Sequence, residues 1–289
     1  MRLAGPLLAA LLFAAPADAQ VLYAATASGS PGELYVLNPA TGGVVRDVGP
    51  LTDALGANYP ITGLAVQPIT GVLYGSVANA NAATRARLVV IDPATARVTP
   101  VGPFNAGPVG PTGAPATMAD LAFTPAGQLF GVSSLNRPDL YAIDLASGQA
   151  TLVGPSGVDV STSGGGLAVS PGGVFYGTPT ASRFGTYDPA TGVYANVGQP
   201  TFPAGGGAYG ALAFDGTTLY GLNGSGPGTP PATHLVTIDP ATGAVTDVGP
   251  SVPALDAIAF APAPVPEPGP LPLAAAVAGL AAWRRRRAS

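Results

Sequence analysis

Two acids stand where acid–base chemistry is possible: Asp120 heads the run Asp120-Leu121-Ala122-Phe123, and Asp256 lies one place before Ala257-Ile258-Ala259-Phe260. Carboxyl groups a few ångströms apart can divide the acid and base or nucleophile roles of glycoside cleavage, so Asp120 and Asp256 are the candidate catalytic pair of a glycan hydrolase or lyase. A second set could bind rather than react. Tyr59, Asn79, Asn81, Phe104, Asn105, Asn136 and Tyr209 offer rings for stacking and amides for hydrogen bonds. Other chemistries lack material. With no cysteine and His234 the one histidine, disulfides, thiol catalysis and a multi-histidine zinc site are excluded. No Asp-x-Asp run or glycine-flanked acidic loop suggests calcium, so no metal and no cofactor are expected. Gly164-Gly165-Gly166 and Gly205-Gly206-Gly207 precede strand-like runs rather than helices, which argues against a phosphate cradle. Lysine is absent and the formal net charge is −4, leaving no basic face for nucleic acid.

The elements that would position these residues come from a repeat. Ile91-Asp92-Pro93-Ala94-Thr95 recurs as Ile238-Asp239-Pro240-Ala241-Thr242, Tyr187-Asp188-Pro189-Ala190-Thr191, Leu37-Asn38-Pro39-Ala40-Thr41 and, more weakly, Ile143-Asp144-Leu145-Ala146-Ser147. Each copy precedes a segment ending in Val-Gly, at Val48-Gly49, Val101-Gly102, Val153-Gly154, Val197-Gly198 and Val248-Gly249. Leu-Tyr-like and Leu-Ala-Val-like motifs also occur five times, as in Leu73-Tyr74 and Leu64-Ala65-Val66. A unit of four strands, a to d, over about 45 residues is the scale of a propeller blade. Residues 20–262 are therefore expected to form an all-β, five-bladed β-propeller of four-stranded antiparallel blades. Val21 to Ala25 lacks a preceding strand a, and Asp256 to Phe260 lacks followers, so the terminal strands are expected to pair and close the ring. Asp, Pro and Gly in the repeated motif make it a tight hairpin turn between c and d. The stretch from Phe104 to Thr117 has room for a further strand, but its Pro and Gly content argues against one.

In such blades the a–b and c–d turns share one face, and both sets are short here. The b–c and d–a connections on the other face are long and irregular, and variable loops on a rigid scaffold commonly carry function. That face is the expected binding face. Glu33, Arg87, Asp139, Arg183 and His234, each five residues before a turn Asp or Asn, are read as strand c entering from solvent.

The two ends carry an address. Met1-Arg2, the apolar Leu3 to Ala15 and Ala17-Asp18-Ala19 have the order of a secretory signal peptide, giving residues 1–19 that role. Residues 263–289 open as a Pro-rich linker and continue through Val265-Pro266-Glu267-Pro268, an apolar run from Leu271 to Trp283 and Arg284-Arg285-Arg286-Arg287. The run is short for a permanent membrane span but suits a short C-terminal transmembrane helix, with the arginines holding its end in the cytoplasm. This tail resembles the PEP-CTERM sorting signal of Gram-negative bacteria. The resemblance implies recognition by an exosortase-type membrane protease, transient residence in the inner membrane and release to the cell surface or matrix, in bacteria that make exopolysaccharide. Together these readings describe an exported, non-enzymatic binding or scaffold protein that contacts exopolysaccharide or another surface protein. The glycan hydrolase or lyase is the alternative.

Overall fold

The computed structural model describes residues 20–261 except 28, 78–83, 107, 110–113, 116, 134–136, 159–163 and 225–231. The expected signal peptide, the linker, the apolar tail and the eight residues of the expected sorting signal lie outside the described residues, as do Asn79, Asn81 and Asn136.

Strands a to c are apolar and buried on both faces, which demands cover on each side, and five radially packed sheets supply it. Blade 1 contains β1 (Val21–Thr26), β2 (Glu33–Leu37) and β3 (Val44–Pro50), and blade 2 contains β4 (Ile61–Val66), β5 (Leu73–Val77), β6 (Arg87–Asp92) and β7 (Arg97–Pro103). The chain then forms a minimal pair, β8 (Pro108–Val109) and β9 (Ala114–Pro115). The expectation of no strand between Phe104 and Thr117 is thus corrected: two residues on each side suffice for pairing, which Pro and Gly at this density permit. Blade 3 follows with β10 (Met118–Phe123), β11 (Leu129–Ser133), β12 (Leu140–Ile143) and β13 (Ala150–Gly154). Blade 4 has β14 (Gly166–Val169), β15 (Phe175–Thr180), β16 (Arg183–Tyr187) and β17 (Tyr194–Gly198). Blade 5 has β18 (Ala208–Asp215), β19 (Thr218–Gly224), β20 (Thr233–Ile238) and β21 (Val245–Ser251). The last strand, β22 (Leu255–Ala261), lies beside β1 in the order β22-β1-β2-β3, with Val21 opposite Ala261 and Leu22 opposite Phe260. The protein is therefore an all-β, five-bladed propeller of four-stranded antiparallel blades, and no helix occurs among the described residues.

The c–d turns behave as their chemistry requires. The side-chain oxygen two residues before each turn alanine accepts that alanine's amide: Asn38 from Ala40 at 2.8 Å, Asp92 from Ala94 at 2.9 Å, Asp188 from Ala190 at 2.8 Å and Asp239 from Ala241 at 2.8 Å. Donated hydrogen bonds hold all four turn carboxyls below the usual carboxylate range. The foremost donor is the Thr95 hydroxyl at Asp92, the Ser147 hydroxyl at Asp144, and the Ala190 and Ala241 amides at Asp188 and Asp239. Stability from these charges is present above the unfolded pKa of about 3.9 and lost as pH falls through the lower folded values. Replacing Asp92, Asp144, Asp188 and Asp239 together by Asn should leave the protein folded at pH 7, because Asn38 already does the same work uncharged. Its unfolding midpoint, followed from pH 2 to 7, should then fall less steeply than the parent's below about pH 4. Identical acid limbs would count against this role for the four charges.

The seams between blades explain the Val-Gly motif. A Cβ on Gly102 would lie 2.0 Å from the Ser147 carbonyl oxygen, one on Gly154 2.0 Å from that of Thr191, and one on Gly198 2.1 Å from that of Thr242. Gly249 meets the Thr41 oxygen in the same way at 2.6 Å. Each glycine therefore points a Cα–H at a turn carbonyl of the next blade, the arrangement of a weak C–H···O contact. Just beyond, the departing chain accepts the first residue of the next outer strand: Ala150 N–H donates to Phe104 O at 2.8 Å and Tyr194 N–H to Ser156 O at 2.9 Å. The seam between blades 1 and 2 differs. Gly49 has nothing within 4 Å of its missing Cβ, the facing turn ends in Ala96 at φ 56 rather than Gly, and Val98 N–H reaches Thr52 O at 2.9 Å.

Candidate functional site

Four of the five innermost strands share an irregularity at the axis. In β4, β10, β18 and β22 the register with the neighbouring strand skips one residue, leaving Thr62, Ala119, Gly210 and Asp256 bulged. A bulge re-aims the side chains beside it. Here it turns the residue after the bulge toward the centre, and at this position stand Gly63, Asp120, Ala211 and Ala257, with Gly166 opening β14. Only one of the five can be large. A Cβ on Gly63 would sit 2.6 Å from Asp120 Cα, and one on Gly166 2.8 Å from Leu212 Cγ.

Asp120 is fully buried. Its Oδ1 accepts the Leu121 amide at 2.9 Å, while Oδ2 accepts Leu167 N–H at 2.9 Å and Leu212 N–H at 3.0 Å. One carboxyl thereby ties β10 to β14 and β18, the innermost strands of two other blades. Burial pushes this carboxyl well above the usual range, the amides of Leu167, Leu212 and Leu121 pull it down, and the charge of Asp256 adds to the upward push. Hydroxyls extend the same belt: Thr62 donates to Met118 O at 2.8 Å between blades 2 and 3, and Thr178 donates to Tyr209 O at 3.2 Å between blades 4 and 5. Asp256 is half-buried, and its Oδ1 lies where a Cβ on Gly210 would meet it at 2.3 Å. The structure thus brings both candidate acids to the axis, but it leaves no atom of Asp120 open to a substrate.

The aromatic binding candidates are corrected. Tyr59, Phe104 and Tyr209 are 2 %, 0 % and 0 % exposed, so none offers a ring face to a ligand. Tyr59 belongs to the core beside Leu51 and Ile61 and donates its hydroxyl to Asp53 Oδ2 at 2.9 Å. Phe104 plugs the space beside Met118 and Tyr141. Tyr209 lies inside β18 rather than ahead of it, packs against Leu212 and Val236, and donates to Thr201 O at 2.5 Å. Long intervening segments suggested loops, but a propeller hides the apolar residues of those segments between its blades. Asn105 is exposed, at φ 49. The polar positions opening strand c serve local contacts: Tyr35 donates to Glu33, Ser156 N–H donates to Asp139, and His234 Nδ1 lies 3.0 Å from Asp247. Among the described residues, no three His, Asp or Glu side chains gather as metal ligands.

A surface cleft that the repeat pattern did not reveal lies on blade 2. It encloses about 320 Å³ and is walled by Val72, Val90, Asp92, Pro93, Arg97 and Thr99, with Thr70 and Gly71 at its edge. Val90 pairs with Thr99 and Asp92 with Arg97 across β6 and β7, so all four side chains share one sheet face.

No curated protein matches the chain. Among solved structures, hydrazine synthase of Kuenenia stuttgartiensis is 15% identical with a TM-score of 0.40, covering 68% of this chain and 49% of that one. A structural-genomics protein of unknown function from Bacteroides thetaiotaomicron is 16% identical with a TM-score of 0.46, covering 70% and 53%. The chain spans about half the length of each. The repeat itself is what other sequences share: residues 25–229, from the first described blade into the fifth, match a repeat of unknown function, and the chain belongs to that family, DUF6923.

Proposed function

We propose that this chain is an exported, non-enzymatic binding or scaffold protein of the cell surface or matrix, delivered by an exosortase-type protease that acts at Val265-Pro266-Glu267-Pro268. One observation carries the non-enzymatic part. The acid best placed for glycan chemistry, Asp120, spends both carboxyl oxygens on backbone amides of three strands and is buried from solvent. A glycosidase acid must instead reach the leaving oxygen of its substrate. The delivery part is supported by the order of motif, apolar run and arginines at the C-terminus. In this reading the pairing of β22 with β1 closes the ring, which removes an open sheet edge and suits a protein that holds together without disulfides.

Mass spectrometry of the protein recovered from cells tests delivery: the mature C-terminus should lie before Arg284. Retention of Arg284 to Arg287 would replace sorting by a plain membrane anchor. Incubation with a panel of neutral and acidic polysaccharides should release no products. Turnover that disappears in Asp256→Asn would restore the hydrolase or lyase reading.

A further inference from the structure

We propose that the blade 2 cleft binds a carboxylate-bearing saccharide unit, which rests on the surface-binder reading and gives that reading a site and a ligand charge. At about 320 Å³ the cleft stands at the lower end of small-molecule sites, enough for one or two sugar rings. Its floor is apolar, from half-buried Val72 and Val90, and suits the C–H face of a sugar ring. Its rim is cationic. Arg97 is exposed and makes no side-chain hydrogen bond or ion pair among the described residues. Arg46, reaching from β3 of the adjoining blade, donates to Pro93 O on the cleft wall at 3.2 Å.

Asp92 on the cleft wall keeps its negative charge, because the Ala94 N–H at 2.9 Å and the Thr95 hydroxyl at 2.6 Å that its oxygens accept are neutral donors, and Arg46 and Arg97 together outweigh it. Residues 20–261 contain six arginines and no lysine; Arg97 lines the cleft and Arg46 hydrogen-bonds its wall, so two of the six meet there. A guanidinium presents a planar fork that matches a carboxylate with two parallel hydrogen bonds, and it sheds water more readily than an ammonium. Thr99, on the same sheet face as Arg97, adds a hydroxyl for a ring oxygen or hydroxyl. A small anion such as phosphate would use the arginines but gain nothing from the valines. A neutral sugar would use the valines but leave the guanidinium groups unmatched.

Calorimetric titration of the purified protein with an oligogalacturonate, a neutral oligoglucan and inorganic phosphate separates these cases. The expected order is oligogalacturonate well above the other two. Arg97→Ala should weaken it about tenfold and Arg46→Ala about threefold, with Arg97→Lys failing to restore it fully. Val90→Ser should weaken the oligogalacturonate and leave any phosphate binding unchanged. Because Arg46 and Arg97 are exposed, these variants should melt with the parent, which guards against misreading an unfolded sample. Unchanged oligogalacturonate binding in Arg46→Ala/Arg97→Ala, no binding at all, or phosphate binding as tightly would each overturn the site. A protein that keeps its arginine tail yet binds oligogalacturonate would defeat the sorting reading and leave the site standing, while a processed protein that binds none would do the reverse.

Discussion

Asp120→Ala should lower the unfolding free energy by about 4 kcal/mol, because it strands three buried amides at about 1–3 kcal/mol each, partly offset by removing a buried carboxyl. For a unit of this size that is a drop of roughly 10 °C in Tm. Asp120→Asn keeps the shape but sets an NH2 against at least one N–H donor, so it should also destabilise, by about 2 kcal/mol. The pH dependence of the Asn variant is the more discriminating measurement. Burial raises the folded carboxyl above its unfolded value of about 3.9. Between those two values the folded protein keeps a proton that the unfolded chain has released. The contribution of Asp120 is therefore greatest at acid pH and declines as pH rises through the folded value. The Tm gap between parent and Asp120→Asn should narrow from pH 4 toward pH 8. A gap that widens would show that the three amides outweigh burial and hold the carboxyl ionised.

The second large effect is expected at the rim. In Gly154→Ala the added methyl would overlap the Thr191 carbonyl oxygen, 2.0 Å from the ideal Cβ position, and both partners are backbone. Neither can swing aside as a side chain would. Blades 3 and 4 must part locally, which also stretches the Tyr194 N–H to Ser156 O bond. A cost of about 3 kcal/mol follows from overpacking of this kind, or a Tm lower by roughly 6–12 °C. Gly154 is not among the residues with positive φ, so an alanine backbone fits there and the cost is contact alone. Gly172→Ala is the matched control: it too has no positive φ, and its nearest neighbour is the Ser170 hydroxyl at 3.8 Å. It should be neutral or stabilising by a few tenths of a kcal/mol through the unfolded chain. Equal losses from the two variants would refute the seam as the reason for the Val-Gly motif.

The blades and their c–d turns were legible because each is written inside one copy of the repeat. Asp92-Pro93-Ala94-Thr95 states its own turn, and Leu88-Val89-Val90-Ile91 its own two-sided burial. The seams were not legible, because the constancy of Gly154 answers to Thr191 in the following copy, and a repeat shows that a residue recurs without showing what it touches. The axis was half legible. Asp120 and Asp256 were drawn to the centre by their place ahead of the inner strand, yet the bulges that turn Asp120 onto foreign amides depend on pairing across strands. Tyr59, Phe104 and Tyr209 escape a reading of the sequence because loop length suggests exposure, whereas the spaces between blades need filling. The blade 2 cleft depends on Arg46 crossing from another copy, which spacing alone does not encode.

The fully buried carboxyl of Asp120 at the axis also bears on how such a chain assembles. Five near-interchangeable units could associate out of sequence or exchange with those of another molecule, the characteristic misfolding route of repeat proteins. Four of the five axial positions are glycine or alanine and would accept any order. Asp120 would not: it finds Leu167 and Leu212 together only when the third, fourth and fifth units stand in their proper places. A buried acid that is costly to hold thus serves as a landmark in a pattern that otherwise has none, penalising mis-threaded arrangements more than it penalises the native one.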